Sequence, residues 1–284
     1  MAIRYDEIMQ LRSSEEFHYG DRDTMLYALG VGFGRDPLNR KELRFVYEND
    51  LQVVPSFATV IGGWAMPTLT RSGMNFLMVV HGEERLTLHR KLPVEADVNC
   101  EERVAGAYDK GPGRGALLLL ERTVREKASG EALCTRTISL FARGDGGFGG
   151  PRDGGPLPHE LPAREPDLVV ECDTRPDQAL LYALSGDRNP LHRDPDFARL
   201  ARFDRPTLHG LCTYGTACRA VLSGVCDYDA GRIASFDARF SSPLFPGETM
   251  VTQIWVDGPV VSFRSRVKER DVLVLTNGKC TLRV

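Results

Sequence analysis

The chain has 284 residues, 42% of them apolar, enough to bury a sizeable core in one large or two modest domains. Its 36 basic and 39 acidic side chains nearly cancel, leaving a formal charge of -3. That balance excludes the electrostatic footprint of a nucleic-acid binder or of a protein held to an anionic membrane, so neither partner is expected.

Met1 to Gln10 carries charges at Arg4, Asp6 and Glu7, so it lacks the apolar core of a signal peptide, and no run approaches a membrane span. The seven cysteines, at 100, 134, 172, 212, 218, 226 and 280, show no C-x-x-C spacing. They read as small buried residues in a reducing compartment, with no disulfide or metal site expected.

In the first half, Tyr27-Ala28-Leu29-Gly30 is the first landmark. Gly30, Gly32 and Gly34 imitate a dinucleotide loop, but they follow no parallel strand and open no matching helix, so no cofactor is expected there. A second landmark, Pro55-Ser56-Phe57-Ala58, leads into a helical segment. Runs with strand chemistry follow near Asn75 to His81, Arg85 to Arg90, Asp97 to Tyr108, Ala116 to Arg125 and Ala132 to Ala142.

Residues 144–167 are rich in glycine and proline and almost free of apolar periodicity, which predicts a linker. Beyond it Tyr182-Ala183-Leu184-Ser185 echoes the first landmark, and Pro206-Thr207-Leu208-His209 echoes the second at a nearly constant offset. A duplicated unit explains both matches. The second copy continues with a helix over about Leu208 to Leu222, small or apolar on most sides and hence buried; Tyr214 and Cys218 read there as core. Alternating strands follow at Phe236 to Phe240, Met250 to Val256 and Val261 to Val267, separated by turns at Pro246-Gly247 and Gly258-Pro259. The expected class is α+β, one buried helix wrapped by an antiparallel sheet, twice over: residues 1–143, a linker at 144–167, and residues 168–284.

The stretch Leu184-Ser185-Gly186-Asp187-Arg188-Asn189-Pro190-Leu191-His192 packs a carboxylate, a carboxamide and an imidazole into turn-forming sequence, where Gly186 and Pro190 forbid a regular helix. Asp187 and His192 can grip one water as an acid/base pair. Asp187 and Asn189 can also be read as caps for a segment starting near Asp194, and His209 as a packing residue. At the head of the apolar helix, Gly210 offers an unpaired N–H where the helix dipole favours negative charge.

Together with His209-Gly210-Leu211, this stretch resembles the signature of the hydratase 2, or MaoC-like, family of (R)-specific enoyl-CoA hydratases. Counterparts run along the chain: His81-Gly82-Glu83, Tyr108-Asp109-Lys110-Gly111, the Gly146 to Gly150 run and Ala238-Arg239-Phe240. The resemblance implies a double hot dog that adds water reversibly, in syn fashion, to a trans-2-enoyl-CoA, giving the (R)-3-hydroxyacyl-CoA. It assigns Asp187 and His192 to water activation, Asn189 to orienting water or substrate, and the Gly210 N–H to the thioester oxygen. His81, Gly82, Lys110 and Phe240 are implied as contacts of the bound acyl-CoA. The resemblance further implies a homodimer and no metal or redox cofactor.

The first copy has Gly32 at the place of Asp187 and no histidine in its loop, which suggests a non-catalytic half that accommodates the acyl chain. Met66, Met74, Phe76, Leu77 and Met78 are candidate tunnel residues. Three alternatives stay open: the same chemistry on a branched, dicarboxylic or sterol side-chain thioester, an acyl-CoA thioesterase, and a non-catalytic acyl-CoA-binding hot dog. The chain ends Leu282-Arg283-Val284, which is no peroxisomal signal, and a cytoplasmic location is expected.

Overall fold

The computed structural model describes residues 4–63, 66–75 and 78–283. The first half contains helix α1 (Tyr5–Met9), strand β1 (Arg12–Tyr19), helices α2 (Asp21–Gly30) and α3 (Arg40–Leu43), a 3-10 turn at Pro55–Thr59 and helix α4 (Met66–Arg71). Strands β2 (Val79–Leu88), β3 (Ala96–Asp109), β4 (Ala116–Glu126) and β5 (Ala132–Ala142) complete it. The second half contains β6 (Leu168–Asp173), α5 (Gln178–Tyr182), α6 (Pro195–Leu200) and α7 (Gly210–Gly224), then β7 (Ile233–Phe240), β8 (Thr249–Asp257), β9 (Val260–Val267) and β10 (Leu273–Leu282).

All ten strands lie in one sheet of order β1-β3-β4-β5-β2-β7-β10-β9-β8-β6, and every pairing is antiparallel. Adding five to each strand number of the first half gives the second half in mirror order, so the duplication visible in the residues is a duplication of topology. The halves join where β2 pairs β7, with Glu84 opposite Ala238 and Leu86 opposite Phe236. The landmarks Tyr27 and Tyr182 meet at the same seam, their ring centroids 5.9 Å apart.

Alternation dictates the inner face. Along β3, Val98, Cys100, Glu102 and Val104 are buried while Asp97, Glu101 and Arg103 are exposed. The concave face of the second half wraps α7, in which eleven of fifteen residues are buried. Small residues allow that depth: a Cβ on Gly215 would lie 2.5 Å from Val31 Cγ1 and 2.8 Å from the Tyr27 hydroxyl.

The first half departs from the expected single buried helix. Its 3-10 turn stops at Thr59, and Gly62 and Gly63 follow with φ of 75° and 66°, a left-handed conformation that ends helices. A Cβ on Gly62 would sit 2.5 Å from Cys100 Sγ, so the chain passes too close to β3 for any side chain.

The two runs expected around Asn75 to Arg90 are one strand, β2, with a register shift between His81 and Glu83 at Gly82. Phe76 and Leu77 lie outside the described residues. Met74 is buried beside Ile8, Val104 and Leu118, and Met78 is exposed. Residues 144–167 contain no helix or strand but are tied down along their length. Asp109 accepts the Gly147 and Gly149 N–H groups at 2.7 and 2.8 Å, Arg85 donates to Leu157 O at 2.7 Å, and Trp255 Nε1 donates to Arg164 O at 2.7 Å. Among the described residues no helix is long and apolar enough to cross a membrane.

Candidate active site

The catalytic-type loop follows α5 and a 3-10 turn at Ala183–Ser185. Gly186, at φ 122°, turns the chain, and Asp187 Oδ1 accepts the Asn189 N–H at 3.0 Å. Asn189 Oδ1 in turn accepts the Leu191 N–H at 3.0 Å, capping the 3-10 turn Pro190–His192 that carries the histidine. The exposed Asn189 therefore uses its carbonyl to shape the loop and leaves its NH2 group free of that duty.

Two imidazoles clip this loop to the entry of α7. His192 Nδ1 lies 2.9 Å from the Thr207 carbonyl and 3.1 Å from Thr207 Oγ1. His209 Nε2 lies 3.1 Å from the Asp187 carbonyl. A carbonyl can only accept, so each of these nitrogens carries its proton, and His192 Nε2 and His209 Nδ1 keep lone pairs in the neutral rings. Burial pushes the His192 pKa below its ordinary value, against the opposing pull of the Asp187 carboxylate. Burial, reinforced by His192 beside it, lowers His209 to about 3, so His209 is uncharged near neutral pH.

Asp187, His192 and His209 each offer a donor atom within 4.8 Å of the others. Two ordinary hydrogen bonds of about 2.8 Å to one water span such a gap. The His192 and His209 rings pack one against the other beside Asp187.

Beside Asp187 is a cavity of about 10 Å³, close to the space of a single water. Thr59, Val60 and Gly63 of the first half form one wall; Tyr182, Asp187 and Leu211 of the second form another. Gly210 opens α7, whose first turn receives no side-chain cap from His209, leaving backbone N–H groups at a positive helix end. A Cβ on Gly210 would lie 3.3 Å from Phe240 Cε1, so an aromatic ring covers one flank of that glycine.

The remaining expected contacts divide. His81 packs on Phe240 with ring centroids 4.7 Å apart, and Gly82 and Phe240 line a common groove of about 330 Å³ with Leu117, Phe141, Arg239 and Asn277. Lys110 borders neither this groove nor the cavity at Asp187; it lies in the turn after β3, with Nζ donating to Arg152 O at 2.7 Å. Cys218 and Tyr214 are buried, as core residues should be. Thr207 and the first-half wall carried no signal in the sequence beyond the repeat itself.

Two family models match: the MFE-2 hydratase 2 N-terminal domain over residues 17–144 and the MaoC like domain over residues 159–278. The chain is 40% identical over 277 residues to the peroxisomal enoyl-CoA hydratase 2 of Arabidopsis thaliana, an alignment spanning 91% of this chain and 89% of that relative. The chain belongs to the MaoC-like hydratase 2 family. A MaoC-like dehydratase from Phytophthora capsici superposes over 99% of this chain and 98% of its own at a TM-score of 0.88, with 30% identity. A Mycobacterium tuberculosis protein described as a double hotdog aligns over 98% of this chain and 97% of its own at a TM-score of 0.61 and 15% identity, a likeness of fold alone. The architecture is thus a double hot dog. As a member of the hydratase 2 family the chain is an enzyme of the hydratase and dehydratase class, a hydro-lyase.

Proposed function

We propose that this chain catalyses reversible syn addition of water to a trans-2-enoyl-CoA, giving the (R)-3-hydroxyacyl-CoA. The observation that carries the reading is the convergence of Asp187, His192 and His209, each of which brings one side-chain ligand atom within 4.8 Å of the others, next to the uncapped head of α7 and a small cavity bordered by Asp187 and Leu211.

In the forward direction the water oxygen bonds to the β-carbon as the Asp187 and His192 pair takes one of its protons. Electrons of the double bond move toward the thioester oxygen, where the Gly210 N–H and the α7 dipole stabilise the developing charge. The pair then returns one proton to the α-carbon from the same side, so O–H is added across one face and the pair ends as it began. The step balances with water alone and calls on no metal or redox cofactor. Asn189 holds the loop and, through its free NH2, orients water or substrate. In this reading His81, Gly82 and Phe240 border the acyl thioester, and Lys110, which borders neither the groove nor the cavity, is assigned to coenzyme A on the family resemblance alone.

The first half contributes a wall and no acid/base group, consistent with residues 1–143 accommodating the acyl chain, residues 168–284 reacting, and 144–167 connecting them. A homodimer and a cytoplasmic location belong to the same proposal; the seven buried free thiols suit a reducing compartment. Incubation with trans-2-decenoyl-CoA tests the reading: (R)-3-hydroxydecanoyl-CoA as product supports it. Free thiol released from a saturated acyl-CoA would instead identify a thioesterase, and binding without turnover a non-catalytic module.

A further inference from the structure

The wall opposite Asp187 is held by two buried guanidinium groups. The 3-10 turn of the first half stops at Thr59, and side chains reach the carbonyls of Thr59, Ile61, Gly62 and Gly63. Arg136, on β5, donates to Thr59 O. Arg122, on β4, donates to Ile61 O, Gly62 O and Gly63 O at 3.2, 3.0 and 2.6 Å. Both arginines are 3% exposed, and each faces a buried glutamate. Arg136 Nε and Nη2 meet the two oxygens of Glu84 at 2.7 and 2.9 Å, and Arg122 Nε and Nη2 meet Glu102 Oε2 at 3.1 and 3.0 Å.

Burying such charges costs several kcal/mol in desolvation, and an apolar pair of like volume commonly serves stability as well. The second half does without such ion pairs among its described residues: its sheet buries Val261, Phe263, Val274 and Cys280 together with an uncharged Thr252–Ser265 hydrogen bond across β8 and β9. What the ion pairs add is a fixed backbone where Thr59, Val60 and Gly63 line the cavity. The Arg136 pair also reaches the other flank, because Glu84 Oε2 lies 3.2 Å from His81 Nε2, and His81 packs on the Phe240 ring that covers Gly210.

We propose that Arg136, clamped by Glu84 and seconded by Arg122 with Glu102, is a positioning residue that sets the first-half wall of the reaction cavity and so the fit of the acyl group against Asp187. This rests on the enoyl thioester reading above. Arg136 touches no reacting atom; it acts through the Thr59 carbonyl.

The test compares wild type, Arg136→Lys and the charge-neutral pair Arg136→Met with Glu84→Gln, on four-carbon and ten-carbon trans-2-enoyl-CoA. Each protein is first checked for a cooperative melt. The expected result is a loss of about tenfold in kcat/KM on the ten-carbon substrate, mostly in KM, with a smaller loss on the four-carbon one, and a milder effect in Arg136→Lys. Folded variants with wild-type constants on both substrates would overturn the proposal. So would an equal loss of kcat on both at unchanged KM, which marks a smaller active fraction. Failure of Arg136→Lys to melt cooperatively would make the pair a folding element and also overturn it. A folded wild type that turns over neither substrate would refute the enoyl thioester reading itself, and the proposal with it.

Discussion

His192 and His209 lie ring against ring, their centroids 3.9 Å apart and their planes tilted by 33°. Two imidazolium ions cannot share that spacing away from solvent, and burial lowers both pKa values. Each ring holds the loop through one nitrogen, and in the proposed reaction the other nitrogen of His192 serves as the base.

The first prediction concerns rate against pH. The base form of His192 is the unprotonated one, and its pKa is depressed, so the acid limb of kcat/KM should have its midpoint below the ordinary imidazole value of about 6.5. A profile measured from pH 4.5 to 8 checks this. A midpoint above 7 would contradict a base whose environment disfavours charge.

Stability should carry the same sign. A histidine depressed in the folded state contributes stability that is fully present above its unfolded pKa and is lost as pH falls toward the folded value, here from about 6.5 toward 3 for His209. His209→Gln should therefore shrink the drop in Tm between pH 7 and pH 4. An unchanged drop would mean that His209 titrates alike in both states.

Gly210→Ala separates chemistry from folding. The backbone there is ordinary helix, so alanine is tolerated at the helix start, but its Cβ would press on Phe240 and crowd the N–H. We expect Tm within a few degrees of wild type and kcat lower by roughly 10²-fold, the scale of a lost oxyanion donor. Wild-type turnover in this variant would remove Gly210 from the mechanism.

Asp237, on β7, has its pKa raised to about 6, chiefly by burial, with Glu83 adding to it and Arg85 and the Leu86 N–H opposing. A carboxyl raised on folding destabilises above its unfolded pKa, so Asp237→Asn should raise Tm at pH 7 and change it little at pH 3.5. Asparagine keeps the oxygen that accepts from Leu86. Equal Tm differences at the two pH values would show that charge is not the cause.

The loop from Gly186 to His192 was legible because turn residues and chemical residues share one short segment, and Gly210 because a glycine opens an otherwise apolar helix. The doubled arrangement followed from the paired landmarks, but β1, β6 and β10 were not legible as strands, because β1 and β6 are edge strands with polar or exposed faces and β10 is broken by Asn277-Gly278 against Phe263. Other features depend on long-range contacts that no local pattern encodes. The clip from His209 to the Asp187 carbonyl needs the α7 entry folded back on the loop, and the guanidinium clamp needs β4 and β5 laid under residues 59–63. The helical segment expected after Pro55-Ser56-Phe57-Ala58 stops short, because Gly62 passes too close to Cys100 on β3 for any side chain.

The measurement that bears most directly on the shared water is the loss of enoyl thioester absorbance with wild type, Asp187→Ala and His192→Ala, each confirmed as folded. Wild type should turn over, and each variant should fall by roughly 10²–10⁴-fold. Equal rates in all three proteins would contradict a water shared by Asp187 and His192.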